Sequence, residues 1–192
     1  FVLKAFKQIW KVSNKLIVNI LGSISARGGS KGVPKKNIHL FLGKPLIVWT
    51  IQQALSCPEI SRVVISTDSE EIAQVARENG AEVPFLRPPA LATDQSGKWQ
   101  VWQHTLNVVE NELKWPVDLF VDLDCTSPLR EVSDISSAIS QFLSASQEID
   151  AVFSVCKARK NPYFDMIEYH DDYLRICKKL KKPIIRRQDA PR

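Results

Sequence analysis

The chain has 192 residues, 44% of them hydrophobic, and a formal net charge of +5. This length and apolar content fit a single domain with one substantial core. No apolar run reaches the roughly 18 residues that a membrane-spanning helix needs, and lysines interrupt the opening segment too often for a secretory signal. We therefore expect a soluble, cytoplasmic protein with no membrane partner.

Charge is unevenly distributed along the chain. No Asp or Glu precedes Glu59, whereas nine Lys or Arg residues do, so we expect an anionic ligand near this end. A second basic stretch, 178–192, is compatible with a nucleic-acid patch, a solvated tail, or a second phosphate or carboxylate site. The four cysteines and three histidines are widely spaced, which predicts neither a zinc site nor a disulfide framework.

Predicted strands and helices alternate along the chain. Apolar, β-branched runs predict strands at 16–24, 62–66, 82–85, 119–123 and 151–155. Helical periodicity predicts helices at 45–56, with Pro45 in the first turn, at 98–113, at 131–144, and between Asp68 and Gly80. This alternation indicates an α/β fold with a mostly parallel sheet covered on both faces.

Ligands of such folds bind beyond the carboxyl ends of the strands, where this chain has its loops 25–37, 67–69 and 124–130. Two flanking features have structural interpretations. Asp68 is a good N-cap for the following helix, because Glu71 lies three residues on. Trp99 and Trp102 are at helical spacing, which favours core packing over base stacking.

A glycine-rich, basic loop directly follows the first strand. Segment 26–37 has the sequence Ala-Arg-Gly-Gly-Ser-Lys-Gly-Val-Pro-Lys-Lys-Asn. Glycines let backbone N–H groups approach phosphate oxygens, and Arg27, Lys31 and Lys36 supply the charge that a triphosphate requires. The spacing matches neither a Walker loop nor a dinucleotide fingerprint. A basic surface turn is the alternative, but the coincidence of strand, glycines, cations and Asn37 favours a phosphate loop.

Further short segments occur in a fixed order after this loop: Val64-Ile65-Ser66-Thr67-Asp68, Arg87-Pro88 with Leu91-Ala92-Thr93-Asp94, Thr126-Ser127-Pro128-Leu129-Arg130, and Arg187-Gln188 with Pro191. In these segments the chain resembles the acylneuraminate cytidylyltransferases, also called CMP-sialic acid synthetases. The resemblance runs from about Leu16 to the last residue, and the segments together are specific to that family.

The resemblance implies a fold and a reaction. The fold is a Rossmann-like nucleotidyltransferase of three layers, α/β/α, with a mostly parallel sheet. In the reaction, the anomeric hydroxyl of a nonulosonic acid, N-acetylneuraminate or a related sugar, attacks the α-phosphorus of CTP and releases pyrophosphate. Mg²⁺, or Mn²⁺ in its place, is the expected cofactor, and a homodimer is the expected assembly.

Site residues follow from the resemblance position by position. The expected catalytic residues are Arg27, Lys31 and Lys36. The expected nucleotide-binding residues are Ala26, Arg27, Gly28, Gly29, Ser30, Lys31, Lys36, Asn37, Arg87 and Asp124. The expected sugar-binding residues are Thr126, Ser127, Arg130, Arg187 and Gln188, with Arg187 suited to bidentate pairing with the sugar carboxylate.

The chain departs from the family pattern at two places. Asp124-Cys125 replaces the usual Gln-Pro, and the sequence stops before the segment in which the family carries a pair of metal-binding aspartates. We therefore expect that the C-terminal end of the enzyme is missing. Asp124 is a candidate metal ligand; the equal alternative is that Asp122 and Asp124 bind loop backbone or line the pocket without metal.

The expected domain organisation is a basic extension at 1–15 and a cytidylyltransferase domain at 16–192. Within it, 157–185 is an excursion, expected to form a hairpin for dimer contact. Three alternatives stay open: an enzyme for an eight-carbon acid of the Kdo type, a non-catalytic CTP- or sugar-binding fragment, and a nucleic-acid-binding protein. The last is disfavoured, because no helix presents a basic face with interleaved aromatics.

Overall fold

The computed structural model describes residues 2–4, 18–30, 32–145, 149–156, 160–171, 173–181, 184 and 190–191. The chain divides into two compact units, Phe1–Ser154 and Val155–Arg192. The strands of the first unit are β1 (Val2–Lys4), β2 (Ile20–Ser25), β3 (Leu40–Phe41), β4 (Lys44–Pro45), β5 (Arg62–Ser66), β6 (Leu119–Asp122) and β7 (Ala151–Phe153). Its α-helices are α1 (Leu46–Leu55), α2 (Glu70–Glu78), α3 (Lys98–Asn107) and α4 (Val132–Ser144).

A five-stranded sheet with the order β5-β2-β6-β1-β7 forms the centre of this unit. Strand β2 lies between β5 and β6 and is parallel to both, so Ser25 pairs with Ser66 and Ser23 with Asp122. Strand β1 is antiparallel to β6 and β7. The mostly parallel sheet of the prediction is confirmed, and three carboxyl ends lie at one edge.

The strand predicted at 82–85 is wrong. Only Glu82 forms a bridge, parallel to Val64, and no strand continues from it. Pro84 explains the early end, because proline has no N–H to donate to a sheet ladder.

Apolar side chains cover both faces of the sheet. On one face, Ile24, Ile65 and Val121 pack with residues of α1, α2 and α4; on the other, Leu21, Val64 and Phe120 pack against Trp102 and Leu106 of α3. Each large side chain fully buried in this way contributes about 1.5–3 kcal/mol. The result is the three-layer α/β/α arrangement.

The two tryptophans of α3 differ in their surroundings. Trp102 is buried as predicted, whereas Trp99 is exposed and contacts the edge of Trp102, with 6.2 Å between ring centroids. Helix α3 continues into a π-helical turn, Val108–Glu112, which completes the predicted helical segment.

The predicted cap of α2 is wrong by one residue. Ser69, not Asp68, is the N-cap, and its Oγ accepts a hydrogen bond from Ile72 N at 3.4 Å. Asp68 instead accepts a hydrogen bond from the glycine-rich loop. At α1, Pro45 precedes the helix rather than lying inside its first turn.

The second unit contains an antiparallel hairpin of β8 (Ile167–His170) and β9 (Tyr173–Ile176). Its role in dimer contact stays a prediction. Most of the predicted extension 1–15 lies outside the described residues. Within the described ranges, no helix is both long enough and apolar enough to cross a bilayer.

Candidate active site

A cavity of about 610 Å³ lies at the edge where β2, β5 and β6 end. Its walls come from the glycine-rich loop, from the segment that leads to α3, and from the loop after β6. Among the described residues, four cationic side chains line it: Arg27, Lys36, Arg87 and Lys98. A site of this size and charge, at the carboxyl edge of a parallel sheet, suits a phosphorylated small molecule.

The glycine-rich loop is fixed to the start of α2. Ala26 N donates to Ser66 O at 3.0 Å, and Gly28 N donates to Asp68 Oδ1 at 2.9 Å. A Cβ on Gly28 would lie 3.0 Å from the Cβ of Ser69, so any other residue at position 28 would push the two segments apart by a few tenths of an ångström. This anchoring orients the remainder of the loop towards the cavity.

Arg27 is positioned through both its backbone and its side chain. The buried Asn37 donates from Nδ2 to Arg27 O at 2.9 Å, and the Arg27 guanidinium lies 2.8 Å from Asp94 Oδ1. Asp94 belongs to the segment on the opposite wall. An anionic ligand in the cavity would therefore compete with Asp94 for this guanidinium.

Arg87 forms an almost fully buried part of the wall. Its Nε donates to Ser66 Oγ at 3.0 Å, and its Nη2 donates to Ser66 O. Burial lowers the pKa of Arg87, while the nearby Asp68 favours its charged form. Arginine keeps its proton at such a site, so a fixed positive charge lies beside the end of β5.

Lys98 joins the two acidic residues at the end of β6. Its Nζ lies 2.5 Å from Asp122 Oδ2 and 2.7 Å from Asp124 Oδ1. Burial opposes the charge of Lys98, but attraction and hydrogen bonding to both carboxylates outweigh it and raise the pKa of Lys98. Burial raises the pKa of Asp122, against the opposing effect of Lys98.

Cys125 is poorly suited to act as a nucleophile at neutral pH. It is buried next to Asp124 and Asp122, and burial together with these charges raises the pKa of its thiol to about 12. Only a thiolate is an effective nucleophile. The chemistry of the cavity therefore rests on its charged groups.

The loop after β6 separates this cavity from a second one of about 730 Å³. Arg130 supports the loop by donating to Asp124 O at 3.0 Å, and burial lowers its pKa. Gln53 of α1 also holds the loop, donating to Pro128 O and Arg130 O at 2.8 and 2.6 Å.

The structure brings many of the predicted site residues together. Those that line the first cavity are Arg27, Ser30, Lys36, Asn37, Arg87, Asp124 and Thr126. Ala26, Gly28 and Gly29 are in the loop but not in the lining. Thr126 also lines the second cavity, together with Ser127 and Arg130. Lys31, Arg187 and Gln188 lie outside the described residues, so their roles stay predictions.

Sequence reasoning missed Lys98 and the ion pair of Asp94 with Arg27. Lys98 opens α3 without an acidic residue in that first turn, although the helix dipole disfavours a cation there. A lysine at this unfavourable position was the one sequence signal that Lys98 pairs with acidic residues elsewhere in the chain.

The described residues do not fit a resident Mg²⁺ at Asp124. One carboxylate oxygen of Asp122 and one of Asp124 lie 2.5 and 2.7 Å from the same ammonium, Lys98 Nζ. No group of three or more His, Cys, Asp or Glu side chains in the described part of the chain could hold a metal. Use of Mg²⁺ or Mn²⁺ stays a prediction.

Comparison with known proteins assigns the family. A family profile described as Cytidylyltransferase matches residues 21–178. The chain belongs to this family. The match covers both the cavity residues of the first unit and the hairpin of the second.

Two relatives extend the comparison. The chain is 39% identical over 173 residues to post-translational flagellin modification protein B of Campylobacter coli, covering 90% of this chain and 72% of the relative. It is 37% identical over 176 residues to CMP-N,N'-diacetyllegionaminic acid synthase of Campylobacter jejuni, covering 92% of this chain and 73% of the relative.

A solved structure supports the fold. The chain superposes with a TM-score of 0.55 on a CMP:2-keto-3-deoxy-manno-octonic acid synthetase in complex with CTP, at 20% identity. The superposition covers 65% of this chain and 47% of that one. At this identity the likeness confirms the cytidylyltransferase fold alone.

Proposed function

We propose that this cytidylyltransferase joins CMP from CTP to the anomeric hydroxyl of a nonulosonic acid. The observation that carries the proposal is the cavity lined by Arg27, Lys36, Arg87 and Lys98 at the carboxyl edge of the sheet, in a chain of this family. A bond forms between the sugar oxygen and the α-phosphorus, the bond from that phosphorus to the β-phosphate oxygen breaks, and pyrophosphate and one proton leave.

The described side chains supply charge and position for such a transfer. Phosphoryl-type transfers depend on neutralising oxygens and aligning the attacking group more than on covalent help from the protein. Arg27 and Lys36 reach the cavity from the glycine-rich loop, and Arg87 is fixed at the end of β5. These groups are suited to hold a triphosphate while the sugar oxygen approaches.

N-acetylneuraminate or a related nine-carbon acid, such as legionaminate or pseudaminate, is the proposed sugar. The support is the similarity to a CMP-N,N'-diacetyllegionaminic acid synthase over most of the chain. An eight-carbon acid is the second candidate, but its only support from the solved structure cited above is a shared fold. The predicted sugar contacts Arg187 and Gln188 belong to this proposal.

Pyrophosphate release tests the proposal. The protein is incubated with CTP, Mg²⁺ and, one at a time, N-acetylneuraminate, legionaminate, pseudaminate and Kdo. We expect release that depends on a nine-carbon acid. Release with Kdo alone would support the second candidate, and CTP binding without release by any sugar would support a non-catalytic fragment.

An Arg27→Met variant serves as the loss-of-function arm of this assay. Removing one positioned charge at a developing oxyanion costs about 10²–10³ in rate, so we expect a loss of that size. Arg77→Met is the matched control, because Arg77 pairs with Glu70 on the exposed face of α2. Equal activity of the two variants would contradict the assigned role of Arg27.

A further inference from the structure

The carboxylates of Asp122 and Asp124 converge on a single ammonium group. Lys98 Nζ lies 2.5 Å from Asp122 Oδ2, which is an ion-pair contact, and donates a hydrogen bond to Asp124 Oδ1 at 2.7 Å. Lys98 also lines the cavity, and its side chain is 38% exposed. The position between the two carboxylates, where a bridging cation would bind, is therefore filled by a charge of the chain itself.

A lysine at the first position of α3 is unfavourable unless nearby negative charges compensate it. Lys98 is the first residue of α3, where the helix dipole disfavours a positive charge. Asp122 is buried, and a buried carboxylate is expensive unless it is paired. Trp102, one turn further along α3, donates from Nε1 to Asp122 Oδ1 at 2.9 Å. One face of α3 thus places a hydrogen-bond donor at Oδ1 of Asp122 and a positive charge at Oδ2.

We propose that Lys98 takes the place of a divalent cation between Asp122 and Asp124, and that its ammonium is the positive charge that this wall presents to an anionic ligand. The first half is independent of the reaction. The second half, applied to the phosphates of CTP, rests on the proposed function.

Charge balance in the cavity supports the second half. Without Lys98, the wall at the end of β6 would place Asp124, with Asp122 beneath it, next to a polyanion. Like charges at such separations repel, and the effect grows where the surroundings exclude water. Lys98 neutralises one of the two negative charges of this cluster and so weakens the repulsion that a triphosphate would meet at this wall.

Mn²⁺ binding without nucleotide tests the first half directly. Free Mn²⁺ is measured by electron paramagnetic resonance for the wild type, Asp124→Asn, Lys98→Met, and the double variant. Lys98 lies over the ring of Trp102, and Lys44 lies in the same way over Trp49 but does not line the cavity, so Lys44→Met is the matched control. We expect the wild type, Asp124→Asn and Lys44→Met to bind equal amounts of Mn²⁺.

We expect Lys98→Met to bind one more Mn²⁺ per chain than the wild type. The double variant, Lys98→Met with Asp124→Asn, should lose this additional Mn²⁺. If Asp124→Asn alone binds one Mn²⁺ per chain fewer than the wild type, the proposal is overturned. A folded Lys98→Met protein that gains no Mn²⁺ would also overturn it. If Lys98→Met does not fold, the comparison of the wild type with Asp124→Asn decides alone.

CTP affinity in the presence of EDTA tests the second half. A hydrogen bond to a charged group accounts for about a tenfold change in affinity, so Lys98→Met should bind CTP about ten times more weakly than the wild type. Lys98→Arg should recover most of that loss, and Lys44→Met should show none. Unchanged affinity in Lys98→Met would overturn this half, whereas a wild type that binds no CTP would refute the proposed function and leave the Mn²⁺ result standing.

Discussion

At the scale of single residues, two cations of the cavity are already paired with carboxylates of the protein. Arg27 pairs with Asp94, and Lys98 with Asp122 and Asp124. Because pairing already orders these long side chains, less side-chain entropy is lost when a ligand binds. At Arg27 and Lys98, an anionic ligand would therefore have to compete with the carboxylates that already bind these cations.

His104 gives the fold a pH dependence of its own. Its Nδ1 is buried without a hydrogen-bond partner in the described structure, and its ring contacts the edge of Phe85 with 4.8 Å between centroids. Burial lowers the pKa of His104 below its ordinary 6.5, the charge of Arg87 lowers it further, and Glu112 opposes both. The folded state therefore binds a proton less readily than the unfolded state.

The sign of the effect follows from this difference. Above pH 6.5 both states carry neutral histidine, and as the pH falls below 6.5 the unfolded state takes up a proton first, so stability is lost. We predict that His104→Phe loses less free energy of unfolding than the wild type between pH 7 and pH 5, as measured by urea denaturation. Parallel pH profiles of the two proteins would contradict the prediction.

At the scale of elements, neighbouring residues at the start of α2 have separate tasks. Ser69 caps the helix, whereas Asp68 holds the backbone N–H of Gly28. Removing a serine N-cap costs about 1 kcal/mol, so Ser69→Ala should lower the free energy of unfolding by about that amount. Chemical denaturation measures this change.

Asp68→Ala should act mainly on the loop. Because Gly28 loses its anchor, we expect weaker CTP binding in a titration, with a smaller change in helix stability than Ser69→Ala produces. If Asp68→Ala destabilised the protein as a lost cap does and left CTP affinity unchanged, the assigned tasks would be reversed.

Some secondary-structure elements could be predicted from the sequence and others could not. Strands β2, β5 and β6 were predictable, because their β-branched apolar runs are long enough to be buried on both faces. The cap at Ser69 was missed because Asp68 and Ser69 are both favourable capping residues, and only backbone geometry distinguishes them. The strand predicted at 82–85 was too long, because the prediction gave more weight to the apolar residues than to Pro84.

At the scale of the whole molecule, the sequence predicted which residues surround the cavity better than it predicted their electrostatics. The order of glycine loop, strand ends and the loop at 124–130 was enough to place Arg27, Lys36 and Arg87 around one cavity. The contact of Lys98 with Asp122 spans 24 positions in the chain and depends on how α3 packs on β6, which no local pattern records. Because this contact could not be predicted from the sequence, Asp124 was considered a candidate metal ligand.

Product analysis tests the central claim most directly. The protein is incubated with CTP, Mg²⁺ and either N-acetylneuraminate or N,N'-diacetyllegionaminate, and the products are separated and identified by mass spectrometry and phosphorus NMR. The account predicts a CMP-sugar and pyrophosphate in equal amounts, with no CDP. Formation of CDP and inorganic phosphate, or of CMP without a sugar adduct, would contradict it.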